Sequence, residues 1–395
     1  MLDRTKINFL YRWWFSIDRM VVLYIMLLLI LGNIFVGMAS PVVAARIGAP
    51  MNVFITKNLM FSTIAVFIIL TLSALDEKQI VTLSVIGFSI LVVLLIIVLM
   101  CGTVNKGARR WIYIGGFSLQ PSEIIKPLFV TLSAFSLTRI KKNENANIVI
   151  SLLLYILLIS LLILQPDIGM LLLISGIFCI QLFLFMIKIK YFVGLGTIAC
   201  IGLTLLYFIF PHFNGRINTY VNSLFFGGEK SYQTQKSISA FTNGGLLGKG
   251  PFEGSVKNYI PDAHTDFIFS VIGEEFGAIM CILIIMIYFY ISLRMTLRSL
   301  ENTNDFKYLA SASLSFQFLF QTIINIGVTI NLLPTKGMTL PLISYGGSSM
   351  IGIAVTLGFL LALNKTTYGN VTSKNSLLIE KCFPSNKKIN DEYIL

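Results

Sequence analysis

Apolar residues run through this chain in long blocks, not in the alternating or one-sided patterns of soluble strands and helices. A helix needs about 20 apolar residues to cross a bilayer, and several blocks reach that length. They predict ten spans at roughly 20–39, 54–75, 80–101, 121–139, 147–164, 167–187, 191–210, 266–293, 308–331 and 341–363. Pro121 and Pro341 open two of them, because the first helical turn has no use for the missing proline N–H. The expected fold is all-α: a polytopic membrane domain over 20–363, with a large extracytoplasmic loop at 211–265 between helices 7 and 8. A cytoplasmic segment, 1–19, precedes it, and a polar, basic cytoplasmic tail, 364–395, follows. The first apolar run lacks a convincing small-residue cleavage motif and reads as a retained span.

Composition agrees. Apolar types make up 56% of 395 residues and charged types 12%, where soluble domains carry about 25% charged residues. Mean hydropathy is +0.83. The net charge of +12 gives no reason to invoke nucleic acid, because membrane proteins gather Lys and Arg on cytoplasmic loops. With the N-terminus inside, the inner segments hold Arg4, Lys6, Arg12, Arg19, Lys78, Arg139, Lys141, Lys142, Lys188, Lys190, Arg294, Arg298, Lys307 and the five lysines beyond 363, which is 18 of 30 basic residues. Both termini are then cytoplasmic. The five cysteines lack metal-type spacing and imply neither a zinc site nor a disulfide framework.

The basic residues left outside point to an anionic ligand or to ordinary loop chemistry. Arg109 and Arg110, beside Trp111, could hold a phosphate and stack on a sugar, or simply anchor the interface. Glu123 and Lys126 share a helix face and can pair. Asp167, in Gln165-Pro-Asp-Ile-Gly169, suits a helix cap. Gly244-Gly-Leu-Leu-Gly-Lys-Gly250 has the wrong spacing for a nucleotide loop. Its backbone amides and Lys249 could cradle an anion, or the segment is a plain turn. Pro261-Asp-Ala-His-Thr-Asp-Phe267 enters the eighth span, with His264 and Asp266 at its mouth and Glu274 and Glu275 about two turns deeper. Ionisable groups inside a span are costly and default to function. Asp266 could instead cap the helix, and the two glutamates could be a structural ion pair. Lys336 and the small-residue run Ser344-Tyr-Gly-Gly-Ser-Ser349 flank the last span, suited to anion contact or to close packing.

In this order, the five segments resemble the SEDS family of shape, elongation, division and sporulation proteins, FtsW and RodA, over about residues 10–365. Trp13-Trp14 ahead of Asp18-Arg19, Glu253-Gly-Ser-Val-Lys257, Pro261-Asp-Ala-His264 and Lys336-Gly-Met-Thr-Leu-Pro341 lie nearer its division branch. Phe252 departs from a frequent glycine. The resemblance implies a bacterial cytoplasmic-membrane glycosyltransferase at the division septum that polymerises lipid II into undecaprenyl-pyrophosphate-linked glycan. It also implies a class B penicillin-binding protein as partner, among other division proteins, with Asp266 matching the family's catalytic aspartate. Arg109, Arg110, Lys249, His264, Lys336 and Ser344 are then expected to bind substrate, with Glu123, Lys126, Asp167, Glu274 and Glu275 in support. No cofactor is indicated, although a divalent cation stays open. A lipid II flippase or a non-enzymatic division scaffold are the rival expectations.

Overall fold

The computed structural model describes residues 11–105, 108–114, 117–139, 144–185, 204, 207–208, 211–225, 231–335 and 337–365. Its helices are α1 (Arg19–Arg46), α2 (Val53–Ala74), α3 (Glu77–Cys101), α4 (Pro121–Arg139), α5 (Glu144–Leu164), α6 (Ile168–Leu184), α7 (Pro211–Phe225), α8 (Tyr232–Gly244), α9 (Ile268–Leu300), α10 (Asp305–Thr329) and α11 (Gly347–Leu363). Nine of them fall on predicted spans. The seventh span, 191–210, lies outside the described residues apart from three positions. Among the described residues, six helices are long and apolar enough to cross a membrane.

The membrane helices divide by what surrounds them. α2 buries only 22% of its apolar window, α10 72%. The outer helices show lipid-facing stripes, such as Leu23, Leu27, Ile30 and Ile34 on α1. At the centre, α4 packs against α3, α5, α10 and α11. Ser122, Glu123, Lys126, Thr131, Ser133 and Ser136 on α4 are all buried, and a helix sheathed by protein can carry polar groups that lipid would not accept. Small residues let these helices close up. A Cβ on Gly352 would stand 2.4 Å from the Glu123 carbonyl, and one on Gly347 2.4 Å from the Phe61 ring.

Two features depart from expectation. The segment after α3 forms an antiparallel meander of β1 (Thr103–Asn105), β2 (Ala108–Ile114) and β3 (Phe117–Leu119), with Ile112 opposite Leu119 and Tyr113 opposite Ser118. The last span starts at Gly347, not at Pro341. Residues 341–346 instead form a turn into which the Tyr288 hydroxyl donates, at the Pro341 carbonyl. A proline tolerates a helix start but does not compel one.

The large loop is folded, with α7, α8 and a 3-10 turn, Val256–Tyr259. Its glycine run serves α9, which breaks at Gly277 with φ 77° and ψ −178°. A break strands carbonyls before it and amides after it, and no water within a bilayer can take them. The loop takes them instead. Lys249 N and Gly250 N donate to the Glu274 and Glu275 carbonyls, both at 3.0 Å, while Ala278 N donates to Gly245 O at 3.0 Å and Ile279 N to Leu246 O at 3.3 Å. The contact admits no side chain: a Cβ on Gly248 would lie 2.2 Å from the Glu275 carbonyl, and one on Gly277 2.3 Å from Leu246 O. Further along, Phe252 adopts φ +67°, a conformation glycine takes without strain. Its ring lies 5.6 Å from the Lys257 ammonium.

Gly248, at φ +84°, gives the test. Gly248→Ala is expected to lose at least about 1–3 kcal/mol through backbone strain, read as a lower melting temperature of the detergent-solubilised protein. Gly37→Ala, where a Cβ meets only Ile55 at 4.0 Å, should melt with the parent or slightly above it. Equal melting of both variants would mean that the loop does not hold the break.

Candidate functional site

The site is built around a turn, residues 262–266, just ahead of α9. Thr265 N donates to the Asp262 carbonyl at 3.1 Å, with Asp262 itself at φ +55°. The N-cap of α9 is Phe267, so Asp266 stands one residue outside the helix and is not its cap. Its half-buried carboxylate faces the chain at Gly337: a Cβ there would stand 3.1 Å from Asp266 Oδ2. A side chain there would push the carboxylate back by a few tenths of an ångström.

Three bonds, one from α10 and two from the 341–346 turn, fix the 262–266 turn. The Asn325 amide on α10 donates to the Asp266 carbonyl at 2.9 Å and to the Met338 carbonyl at 2.6 Å. Ser344 Oγ accepts from Leu340 N at 2.8 Å and donates to the Thr265 carbonyl at 2.5 Å. Tyr345 N donates to the His264 carbonyl at 2.9 Å. The His264 ring packs between Phe54, 4.6 Å between centroids, and Tyr345, 5.3 Å. His264 and Ser344 therefore hold the turn that carries Asp266.

A polar seam runs from this turn into the bundle. Gln321, one turn from Asn325 on α10, donates to the Thr339 carbonyl at 3.3 Å and accepts from Lys126 Nζ at 2.9 Å. Lys126 is fully buried and pairs with Glu123 at 2.7 Å. Thr339 and Ser349 share a hydroxyl contact of 2.6 Å. A charged pair this deep is tolerable only with its remaining hydrogen bonds made, and Gln321 makes one of them.

The other candidates occupy different places. Arg110 lies 3.5 Å from Asp167 and donates to the Gln165 and Pro166 carbonyls, clasping the turn between α5 and α6. Asp167 also caps α6, accepting from Met170 N at 3.4 Å. Arg109 is exposed and donates to the Leu99 carbonyl at 3.3 Å. Lys249 has its backbone in the α9 break and an exposed side chain, about 12 Å along the helix from Asp266 at 1.5 Å per residue. Glu274 accepts from Asn243, Val256 N and Lys257 N, each at 2.8 Å, and Glu275 pairs with buried Lys257. These two carboxylates fasten the outer loop to α9. Lys336 lies outside the described residues, between Thr335 and Gly337. Among the described residues, no group of three His, Cys, Asp or Glu could hold a metal ion.

The family model for cell cycle proteins, FtsW/RodA/SpoVE, matches residues 18–369. The chain belongs to this family. A Caulobacter vibrioides relative, named "Probable peptidoglycan glycosyltransferase FtsW", is 35% identical over 363 residues, covering 91% of this chain and 92% of its own. A Coxiella burnetii relative of the same name is also 35% identical, covering 88% and 96%. Among solved structures, a chain from work on "structural coordination of polymerization and crosslinking by a peptidoglycan synthase complex" superposes with a TM-score of 0.73 at 24% identity, over 89% of this chain and 98% of that one. Thermus thermophilus RodA gives 0.66 at 24% identity, over 89% and 97%. The two structures share the fold of this FtsW/RodA/SpoVE member.

Reading charges and motifs alone passes over Asn325 and Gln321, which do the most to hold this family member's site. A signal was present: Gln317, Gln321 and Asn325 recur every four residues and so line one face of α10. Lys257 and Asn243, which serve the glutamates, carried no comparable mark.

His264 provides a pH test. Burial pushes its pKa down from 6.5 to about 4, against the opposing pull of the Asp262 carboxylate. The unfolded chain therefore binds the proton first as pH falls. Stability from this ring is complete above pH 6.5 and drains away towards pH 4, by about 3 kcal/mol in total at 1.36 kcal/mol per unit. Melting curves of the parent and of His264→Gln should diverge across that window; parallel curves would refute the assignment.

Proposed function

We propose that this chain is a peptidoglycan glycosyltransferase of septal wall synthesis, joining lipid II units on the outer face of the cytoplasmic membrane, with Asp266 as the general base. The observation that carries the reading is the Asp266 carboxylate beside Gly337, in a turn tied down by three bonds from α10 and the 341–346 turn, with Phe267 rather than Asp266 at the N-cap of α9. The names of the Caulobacter and Coxiella relatives support the reaction class.

In the reaction, Asp266 takes the proton of the acceptor sugar's 4-hydroxyl. The oxygen attacks the anomeric carbon of the donor, the bond from that carbon to the pyrophosphate oxygen breaks, and undecaprenyl pyrophosphate leaves with the bonding pair. A single displacement inverts the anomeric centre. A positioned base contributes about 10²- to 10⁴-fold. Positive charge must meet the leaving diphosphate, and Lys336, one residue before the glycine that touches Asp266, is the cation we assign to it. Arg109, Arg110 and Lys249 serve the approach of the anionic substrate or the scaffold. Ser344, His264 and Asn325 position the base. No metal enters this scheme. Partnership with a class B penicillin-binding protein fits the synthase complex that shares the fold. A flippase would need cations along a crossing path, whereas buried Lys126 is already paired with Glu123.

Asp266→Asn keeps the size and hydrogen-bonding oxygen of the side chain but cannot take a proton. It should fold and reach the membrane at parent levels while losing polymerisation of purified lipid II by at least about 10²-fold, assayed with the transpeptidase partner present. Parent-level polymerisation would remove Asp266 as the base.

A further inference from the structure

A cleft of about 480 Å³ opens between α7, the start of α8 and the chain that follows α10. Pockets of about 300–1,000 Å³ hold small-molecule ligands. Among its described lining residues none is charged. Thr219, Tyr220 and Ser223 come from α7, Gln233 from α8, and Asn331 and Thr335 from the connection to α11. The Tyr220 hydroxyl donates to the Leu332 carbonyl at 2.6 Å and ties one wall to the other.

We propose that this cleft binds a neutral saccharide segment of the substrate or of the growing glycan, next to the reacting centre; for the identity of the glycan this rests on the function proposed above. Three features of the chemistry select the ligand. Hydroxyls and amides both donate and accept, as a sugar's hydroxyls require. A pyrophosphate would want cations, which the described lining lacks. A prenyl chain would bury the hydroxyls and amides of these walls without giving them hydrogen bonds, which is costly. Position agrees. Thr335 is two residues from Gly337, so their Cα atoms lie within about 7 Å, and Gly337 borders the Asp266 carboxylate. The cleft therefore borders the strap that meets the Asp266 carboxylate.

The test uses the full chain in detergent and chitotetraose, a lipid-free neutral saccharide, as the probe in calorimetry or saturation-transfer spectroscopy. The parent and Asp266→Asn should both bind it. A Thr219→Val, Gln233→Leu pair, with melting checked against the parent, should bind it about tenfold more weakly, the loss of one to two hydrogen bonds. Ser223→Leu, which fills the cleft without removing those groups, should do likewise. Lipid II polymerisation by either variant, with the transpeptidase present, should give glycan strands several-fold shorter than the parent's. No binding by the parent, equal binding by the cleft variants, or displacement of chitotetraose by inorganic pyrophosphate would overturn the proposal. Because binding is read without catalysis, these outcomes are separate from a failure of the polymerase reading, which would appear as absent polymerisation by the parent.

Discussion

One side-chain amide decides whether this site exists. Asn325 sits near the end of α10 and donates both of its N–H groups, one to the Asp266 carbonyl and one to the Met338 carbonyl. The first fixes the turn before α9, the second the strap before α11. These segments have no regular secondary structure between them, so their spacing is set by individual bonds: this amide, the Ser344 hydroxyl between Leu340 N and the Thr265 carbonyl, and Tyr345 N on the His264 carbonyl. Replacing the amide with an apolar side chain would leave two carbonyls unpaired at the edge of the membrane, each costing about 1–3 kcal/mol. The Asp266–Gly337 approach rests on that amide together with the Ser344 and Tyr345 bonds.

The same requirement explains the rest of the outer half. Polar backbone in a bilayer must find partners within the protein, and each irregular stretch here does so through a specific companion. The break in α9 is completed by the glycine loop. The loop in turn is fastened by Glu274 and by the Glu275–Lys257 pair. The turn between α5 and α6 is clasped by Arg110 and Asp167. Ionic groups that looked like substrate ligands thus hold backbone in place. They are second to the chemistry in location but determine its geometry.

The spans were legible because bilayer thickness imposes a length on apolar runs, and α4 was legible despite Glu123 and Lys126 because a polar pair three apart can close on itself. Asp266 stood out because a carboxylate at a helix mouth is costly. The roles of Arg110 and Lys249 were not legible. Arg110 meets Asp167, 57 positions away, and no local pattern announces such a contact. The glycines from 244 to 250 signal close backbone approach, but to what is decided by a break at Gly277 in another element. The meander after α3 did leave a trace, since Trp111-Ile-Tyr-Ile114 followed by Gly115-Gly116 has the composition of a strand and a tight hairpin turn; the two arginines drew the eye away from it.

Charge placement argues for how the reaction's two needs are divided. A leaving diphosphate needs a cation that is not already neutralised by a neighbour, because a carboxylate at pairing distance cancels most of the field. Lys126 faces Glu123, Lys257 faces Glu275 and Arg110 faces Asp167. That leaves little positive field for a substrate from these three; under the function proposed above the charge would come from Lys336, which precedes the glycine beside Asp266. The neutral cleft beside α7 begins at Thr335, on the other side of that lysine. Sugar recognition, leaving-group charge and proton acceptor would then follow one another along three consecutive strap residues and the carboxylate facing them. This order is what a polymerase needs if the glycan is to be held while each diphosphate departs.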